Sequence, residues 1–180
     1  MMMQTVLATT LALAQAPAAS GAAPVPPLEE AKERIAALDS TMFWYAFEGC
    51  DADEVRTRIT DDLRMVHDLG GIVADSGDAF AAIIRSNCAD REPGGKNAGY
   101  KNRRLLVPGS DSVTPLGQWG VLHRGLHTFH EWRGEEAGWV QVGGARFLNL
   151  WQWMPDEGTF RLQETISIDH APAAPYPPEG

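Results

Sequence analysis

The chain has 180 residues, 44% of them apolar, two cysteines and a formal net charge of -9, which suits one domain of roughly 150 residues plus tails and leaves no room for a second. The acidic balance argues against nucleic acid or an anionic membrane as the main partner, because phosphate recognition needs clustered cations. The one dense basic spot, Lys101, Arg103 and Arg104, reads as a solvated strand end.

The first 27 residues contain no Asp, Glu, Lys or Arg. Residues 5 to 16 are apolar and small, too short to span a membrane, and Ala-x-Ala cleavage options occur between Ala12 and Ala18. Residues 1–22 are therefore expected to be a signal peptide, residues 23–27 a linker, and the protein periplasmic or secreted. The segment Met1 to Gln4 lacks the usual Lys or Arg, and a plain Ala/Pro tail on a cytoplasmic protein is the competing reading.

Pro26-Pro27 followed by Leu28-Glu29-Glu30 predicts a helix start, with acids where the helix dipole favours them. Apolar residues then recur at Leu28, Ala31, Ile35, Leu38, Met42 and Tyr45, predicting a helix to Glu48 about 30 Å long. Asp51 caps a second, short helix expected to run to Ile59. Arg64 to Leu69 and Ile72 to Ala74 read as strands of a hairpin around Gly70-Gly71. Ser76 caps a third helix, with Phe80, Ile83, Ile84 and Asn87 on its inner side.

After a loop from Arg91 to Lys101, five strands are expected: Arg103 to Val107, Ser112 to Leu116, Trp119 to Trp132, Trp139 to Met154 and Thr159 to Asp169. Helices first and antiparallel strands afterwards indicate an α+β domain over residues 28–170. Residues 171–180 hold four prolines and read as a Pro-rich tail. Cys50 and Cys88 either pair, as thiols in an oxidising compartment commonly do, or remain two unrelated buried thiols; export favours a disulfide.

Six short motifs occur in order: Cys50-Asp51, His67-Asp68-x-Gly70-Gly71, Leu106-Val107-Pro108-Gly109-Ser110, Gly125-x-His127-x-Phe129, Ala145-Arg146-Phe147-x-x-Leu150-Trp151, and Ser167-Ile168-Asp169-His170. With this order of elements the chain resembles the nuclear transport factor 2-like superfamily, and within it the SnoaL-like branch of exported, uncharacterised bacterial proteins. The resemblance spans residues 30 to 170. It implies a cone-shaped, curved antiparallel sheet wrapped around a long N-terminal helix with two shorter helices, and a pocket at the cone's open end that takes a small apolar or aromatic ligand. Tyr45, Phe43, Phe129, Asn149, Trp151, Arg146 and His170 are the expected ligand-binding residues.

Matched to ketosteroid isomerases, the resemblance sets Asp68 at the catalytic-base position. A carboxylate in an apolar cavity suits proton shuttling beside a carbonyl. His67, Asp68 and His127 are thus candidate catalytic groups for an acid–base lyase, isomerase or cyclase. The isomerase oxyanion donors are missing, since their positions fall on Phe43 and near Leu150, so steroid isomerisation is rejected, with nearby Tyr45 the one candidate substitute donor. Adjacent strand residues face opposite ways, so only one of His67 and Asp68 is expected in the pocket. Asp68 has the competing reading of a turn residue bonded to the glycine backbone.

His67, His127 and His170 raise the question of zinc, but His123 to His127 lacks the helical His-Glu-x-x-His spacing, and no metal is expected. Arg146 with Asp169-His170 reads as a polar cluster at the sheet end, Arg on the carboxylate and His on a backbone carbonyl. Phosphate-cradling loops, nucleophile elbows and dinucleotide fingerprints do not occur, and no cofactor is expected. The remaining partner expectation is a homodimer through the exposed face of the sheet.

Overall fold

The computed structural model describes residues 23–172, so the expected signal peptide and most of the expected tail lie outside the described residues. Among the described residues three helices, α1 (Leu28–Phe47), α2 (Ala52–Arg56) and α3 (Gly77–Ala89), accompany seven strands. These are β1 (Ile59–His67), β2 (Gly71–Ala74), β3 (Asn102–Leu106), β4 (Ser112–Pro115), β5 (Gly120–Trp132), β6 (Trp139–Met154) and β7 (Thr159–Pro172).

Helix starts follow the expected chemistry. The Asp51 carboxylate accepts from the Glu54 N–H at 3.0 Å and the Ser76 hydroxyl from the Ala79 N–H at 3.2 Å, each satisfying a donor that a helix start leaves orphaned. The second helix stops at Arg56, short of the predicted Ile59, because β-branched Ile59 and Thr60 already belong to β1. That strand then alternates Leu63, Met65 and His67 toward the interior. The last strand runs to Pro172, two residues into the segment expected to be tail.

The strands form one sheet ordered β2-β1-β7-β6-β5-β3, with β4 paired to β5. Every pairing is antiparallel except β1 with β7. Register shifts at Met65/Val66, Phe129/His130 and Gly144/Arg146 mark bulges, which bend strands and let a long sheet curl around a helix. The core lies between that sheet and the helices: Ile35 and Met42 of α1 and Val55 of α2 meet Leu63, Val121, Trp151, Phe160 and Leu162, none of them more than 1% exposed. The expected linker is docked onto this core, Val25 packing against it and Trp153 donating its indole N–H to the Ala23 carbonyl at 2.6 Å.

Cys50 and Cys88 form a disulfide with Cα atoms 5.5 Å apart, tying the end of α1 to α3 across 38 residues. Closing a loop of that length stabilises the fold by about 4 kcal/mol through the entropy of the unfolded chain. Urea denaturation of the oxidised and the reduced, alkylated protein should differ by that amount, and a difference below about 1 kcal/mol would contradict a structural role for the bridge.

Candidate functional site

The open end of the curled sheet holds a pocket of about 220 Å³. Its walls are mostly apolar: Phe43 and Phe47 from α1, Ile83 and Ile84 from α3, and Phe129 and Phe147 from the sheet. Most polar groups enter from the sheet, where β1, β3, β5 and β7 contribute His67, Arg104, His127, Ser167 and His170, while Asn87 enters from α3.

Strand parity explains most of these positions. His67 faces inward with Leu63 and Met65, and His127 with Val121 and His123. Ser167 and His170 are three apart in β7 and would face opposite sides of a regular strand. Asp169 between them adopts a left-handed backbone with φ 58°, and two steps of β6 from Gly144 to Arg146 oppose three of β7 from Ile168 to Ala171. This bulge returns His170 to the side of Ser167. A non-glycine residue in that conformation costs of order 1–3 kcal/mol unless its surroundings hold it, and here Arg146 pairs with Asp169 at 2.9 Å.

The imidazole of His170 is fixed at both ends. Asp68 accepts from its backbone N–H at 3.0 Å and from its Nδ1 at 2.7 Å, so the ring presents the lone pair of Nε2. Ser167 Oγ lies 3.2 Å from that Nε2 and 3.4 Å from Nε2 of His127. Arg104 donates from Nε to Nδ1 of His127 at 2.9 Å, and because arginine only donates, the proton of His127 sits on Nε2. The bonds therefore run in one direction: Arg104 to His127, His127 to Ser167, Ser167 to His170, His170 to Asp68. His67 stacks on His170 with ring centroids 3.9 Å apart and planes 15° apart, and its Nδ1 accepts from the Leu69 N–H at 3.2 Å.

Behind His127 the network is anchored in the core. The guanidinium of Arg104, its side chain 2% exposed, lies between the rings of Phe43 and Phe147 and donates to Asp39 at 2.5 Å. Asn149 donates to the other Asp39 oxygen at 3.4 Å and accepts from Thr165 at 2.8 Å. Arg104 is thus no solvated strand end. It alternates inward from β3, and Asp39 completes the buried stripe of α1 between Ile35 and Met42.

These surroundings set the protonation states. Burial foremost, then the Arg104 charge, pushes the His127 pKa down to about 2. Burial, then His170, lowers His67 against a weaker opposing pull from Asp68. The backbone N–H of His170 is the main cause of the lowered Asp68 value. For an imidazole whose folded pKa is depressed, the unfolded chain takes up the proton first, so its stabilising contribution is complete above pH 6.5 and is lost as pH falls. From His127 alone, going from pH 7 to pH 5 should cost about 2 kcal/mol. Urea melts at the two pH values test this: His127→Gln should flatten the dependence, and a wild-type stability that does not change over this range would contradict it.

Of the expected catalytic residues, His67 and His127 line the pocket, while Asp68 does not line it and touches two rings that do, His170 with Nδ1 at 2.7 Å and His67 with Nδ1 at 3.2 Å from the same carboxylate oxygen. The Asp68 carboxylate bonds His170 rather than the glycine backbone. Phe43, Phe129 and His170 of the expected ligand set line the pocket. Asn149 and Trp151 share the inward face of β6 with Phe147 but lie deeper, against α1, and both are fully buried. Tyr45 faces Arg58, 4.8 Å from its ring centroid. Arg146 lines a different hollow of about 580 Å³ beside the β3–β4 connection. The pairing of Arg146 with Asp169 is as expected, whereas His170 bonds Asp68 and not a backbone carbonyl.

His67, Asp68 and His170 hold three potential donor atoms within 4.8 Å of one another. The near-parallel stack keeps the in-plane lone pairs of the two imidazoles in separate planes, so they do not converge on one point as metal ligation requires.

No family model and no curated protein matches the chain. Several solved structures do. Aln2 from a Streptomyces species superimposes with a TM-score of 0.62 at 10% identity, covering 79% of this chain and 92% of that one. ActVI-ORFA from Streptomyces coelicolor gives 0.61 at 9% identity over 76% and 95%. An NTF2-like protein with a cystatin-like fold from Novosphingobium aromaticivorans gives 0.57 at 17% identity over 77% and 81%. At these identities the likeness is one of fold.

Proposed function

We propose that this chain, which has the nuclear transport factor 2-like fold, binds a compact apolar or aromatic molecule in its cone and transfers a proton on it, as a lyase, isomerase or cyclase. The observation that carries this reading is the His170 imidazole, fixed by Asp68 with its Nε2 lone pair, beside the Ser167 hydroxyl, at the wall of a mostly apolar pocket. Such a base, held in one tautomer, abstracts a proton from carbon beside a carbonyl without first paying for its own orientation. His67, stacked on it and lowered by burial, is the partner acid or base on the same wall.

A volume of 220 Å³ suits one substituted aromatic ring better than a large polycyclic molecule, given that about 150 Å³ holds benzene. The Cys50–Cys88 bridge supports a location outside the reducing cytoplasm, as the apolar segment of residues 5 to 16 does. No helix among the described residues is long and apolar enough to cross a membrane.

The test is a panel of substituted acetophenones and phenolic lactones, screened by saturation-transfer NMR and then incubated with the protein in deuterated water. Members that bind should gain deuterium beside the carbonyl, and His170→Ala should abolish the gain while binding persists. Failure of every member to bind would reject the ligand reading; binding without exchange would reject the proton-transfer part.

A further inference from the structure

Ser167, on the pocket wall, takes no part in the proposed proton transfer. Ser167 is 5% exposed and lines the pocket, yet its hydroxyl is placed between two imidazoles rather than on a backbone carbonyl. The three members of the chain at its outer end have the connectivity of a Ser-His-Asp triad: a carboxylate on Nδ1 at 2.7 Å and a hydroxyl on Nε2 at 3.2 Å of one imidazole. Such a constellation is recognised by geometry and roles rather than by fold or sequence order. The Asp169 kink exists at the one point that brings Ser167 and His170 to the same side, and backbone strain of this kind gathers at functional sites.

A nucleophilic serine also needs a donor for the oxyanion. His127 supplies it. Its Nε2–H lies 3.4 Å from Ser167 Oγ, within reach of an oxygen formed on a carbon bonded to that Oγ. It remains a neutral donor because Arg104 occupies Nδ1, and the Arg104 cation behind it favours developing negative charge.

We propose that Ser167 is an acyl-accepting nucleophile, with His170 as its base, Asp68 as the positioning residue and His127 as the oxyanion donor, so that the pocket cleaves small carboxylic esters. Oγ forms a bond to the ester carbonyl carbon while its proton passes to His170 Nε2 and the carbonyl π pair moves onto oxygen. The intermediate collapses, the bond to the leaving alcohol breaks, and that alkoxide takes the proton from His170. Water then attacks the acyl-Ser167 ester, giving its proton to His170, which returns it to Oγ as the carboxylic acid leaves. The pocket's volume and its Phe47 and Phe129 walls restrict the acyl part to short or single-ring groups such as acetyl and benzoyl.

The full chain should be treated with an ethyl fluorophosphonate and digested for peptide mapping, alongside hydrolysis of p-nitrophenyl acetate. One phosphonyl adduct per chain is expected, on Ser167, with loss of the ester hydrolysis. Ser167→Ala should take no adduct, and His170→Ala should lower the labelling rate at least about 100-fold. Circular dichroism of each variant separates this from unfolding, and the wild-type result needs no variant. A folded wild-type protein that takes no adduct, or takes it elsewhere than Ser167, overturns the proposal. That outcome leaves ligand binding and deuterium exchange to be judged by their own experiment, since neither uses a covalent bond to Ser167.

Discussion

Arg104→Met should lower the unfolding free energy by about 3–5 kcal/mol, because it leaves a carboxylate in the core without its counter-charge. Asp39 is 2% exposed, and what remains beside it is the Asn149 amide at 3.4 Å and the buried His123 imidazole, with Nδ1 3.8 Å away. Methionine fills the volume between Phe43 and Phe147, so the loss reports charge and hydrogen bonding more than packing. The double variant Arg104→Met/Asp39→Leu removes both charges and should recover most of the loss, since apolar replacement of a buried pair is often neutral. Urea denaturation of the four proteins completes the cycle. If Arg104→Met lies within about 1 kcal/mol of wild type, the pair is not the anchor of the site.

Asp68→Asn should slow solvent exchange on a bound ligand by about 10²–10⁴-fold while changing its affinity less than about threefold. The Asp68 carboxylate accepts from both the backbone N–H and Nδ1 of His170, which keeps the ring proton on Nδ1 and the lone pair on Nε2. An amide can turn its NH2 toward the ring and stabilise the opposite tautomer, with a proton where the base must have none. In Ser-His-Asp sites the same exchange leaves the geometry intact and removes most of the rate. The deuterium-incorporation rate and the dissociation constant, measured on the same ligand, distinguish this from loss of binding. An unchanged rate would contradict a positioning role, and so would a fall fully explained by weaker binding.

How far the sequence revealed this site depends on whether position followed from local period. The long helix, the capped starts at Asp51 and Ser76 and the strand boundaries from Ser112 onward rest on periodicity and turn residues, and the coordinates reproduce them to within a few residues. His67 and His127 face inward by simple alternation, which placed them among the candidates. Asp39 and Arg104 carried a local signal as well, a lone acid on an apolar helical stripe and, in the basic run from Lys101 to Arg104, a cation at an inward strand position. Charge made the exposed reading the natural one for Arg104, and only pairing across 65 residues makes its burial tolerable. Ser167 stood in the closing motif Ser167-Ile168-Asp169-His170, but nothing local marked it as a site residue. Its relation to His170 comes from a single left-handed residue, Asp169, that strict alternation does not anticipate. Asn149, Trp151 and Tyr45 show the converse limit: parity indicated which face of a strand or helix each occupies but not its depth, and depth separates core from pocket.

The apolar hollow between α1, α3 and the curled sheet is where this chain should bind its ligand. Methyl-labelled NMR of the full chain, titrated with members of the aromatic ketone panel that bind, tests it most directly. Binding in the cone predicts saturable shifts at Met65, Ile83 and Ile84, which line that pocket. Shifts confined instead to Val107, Leu126 and Leu148, which line the outer hollow beside the β3–β4 connection, would contradict it.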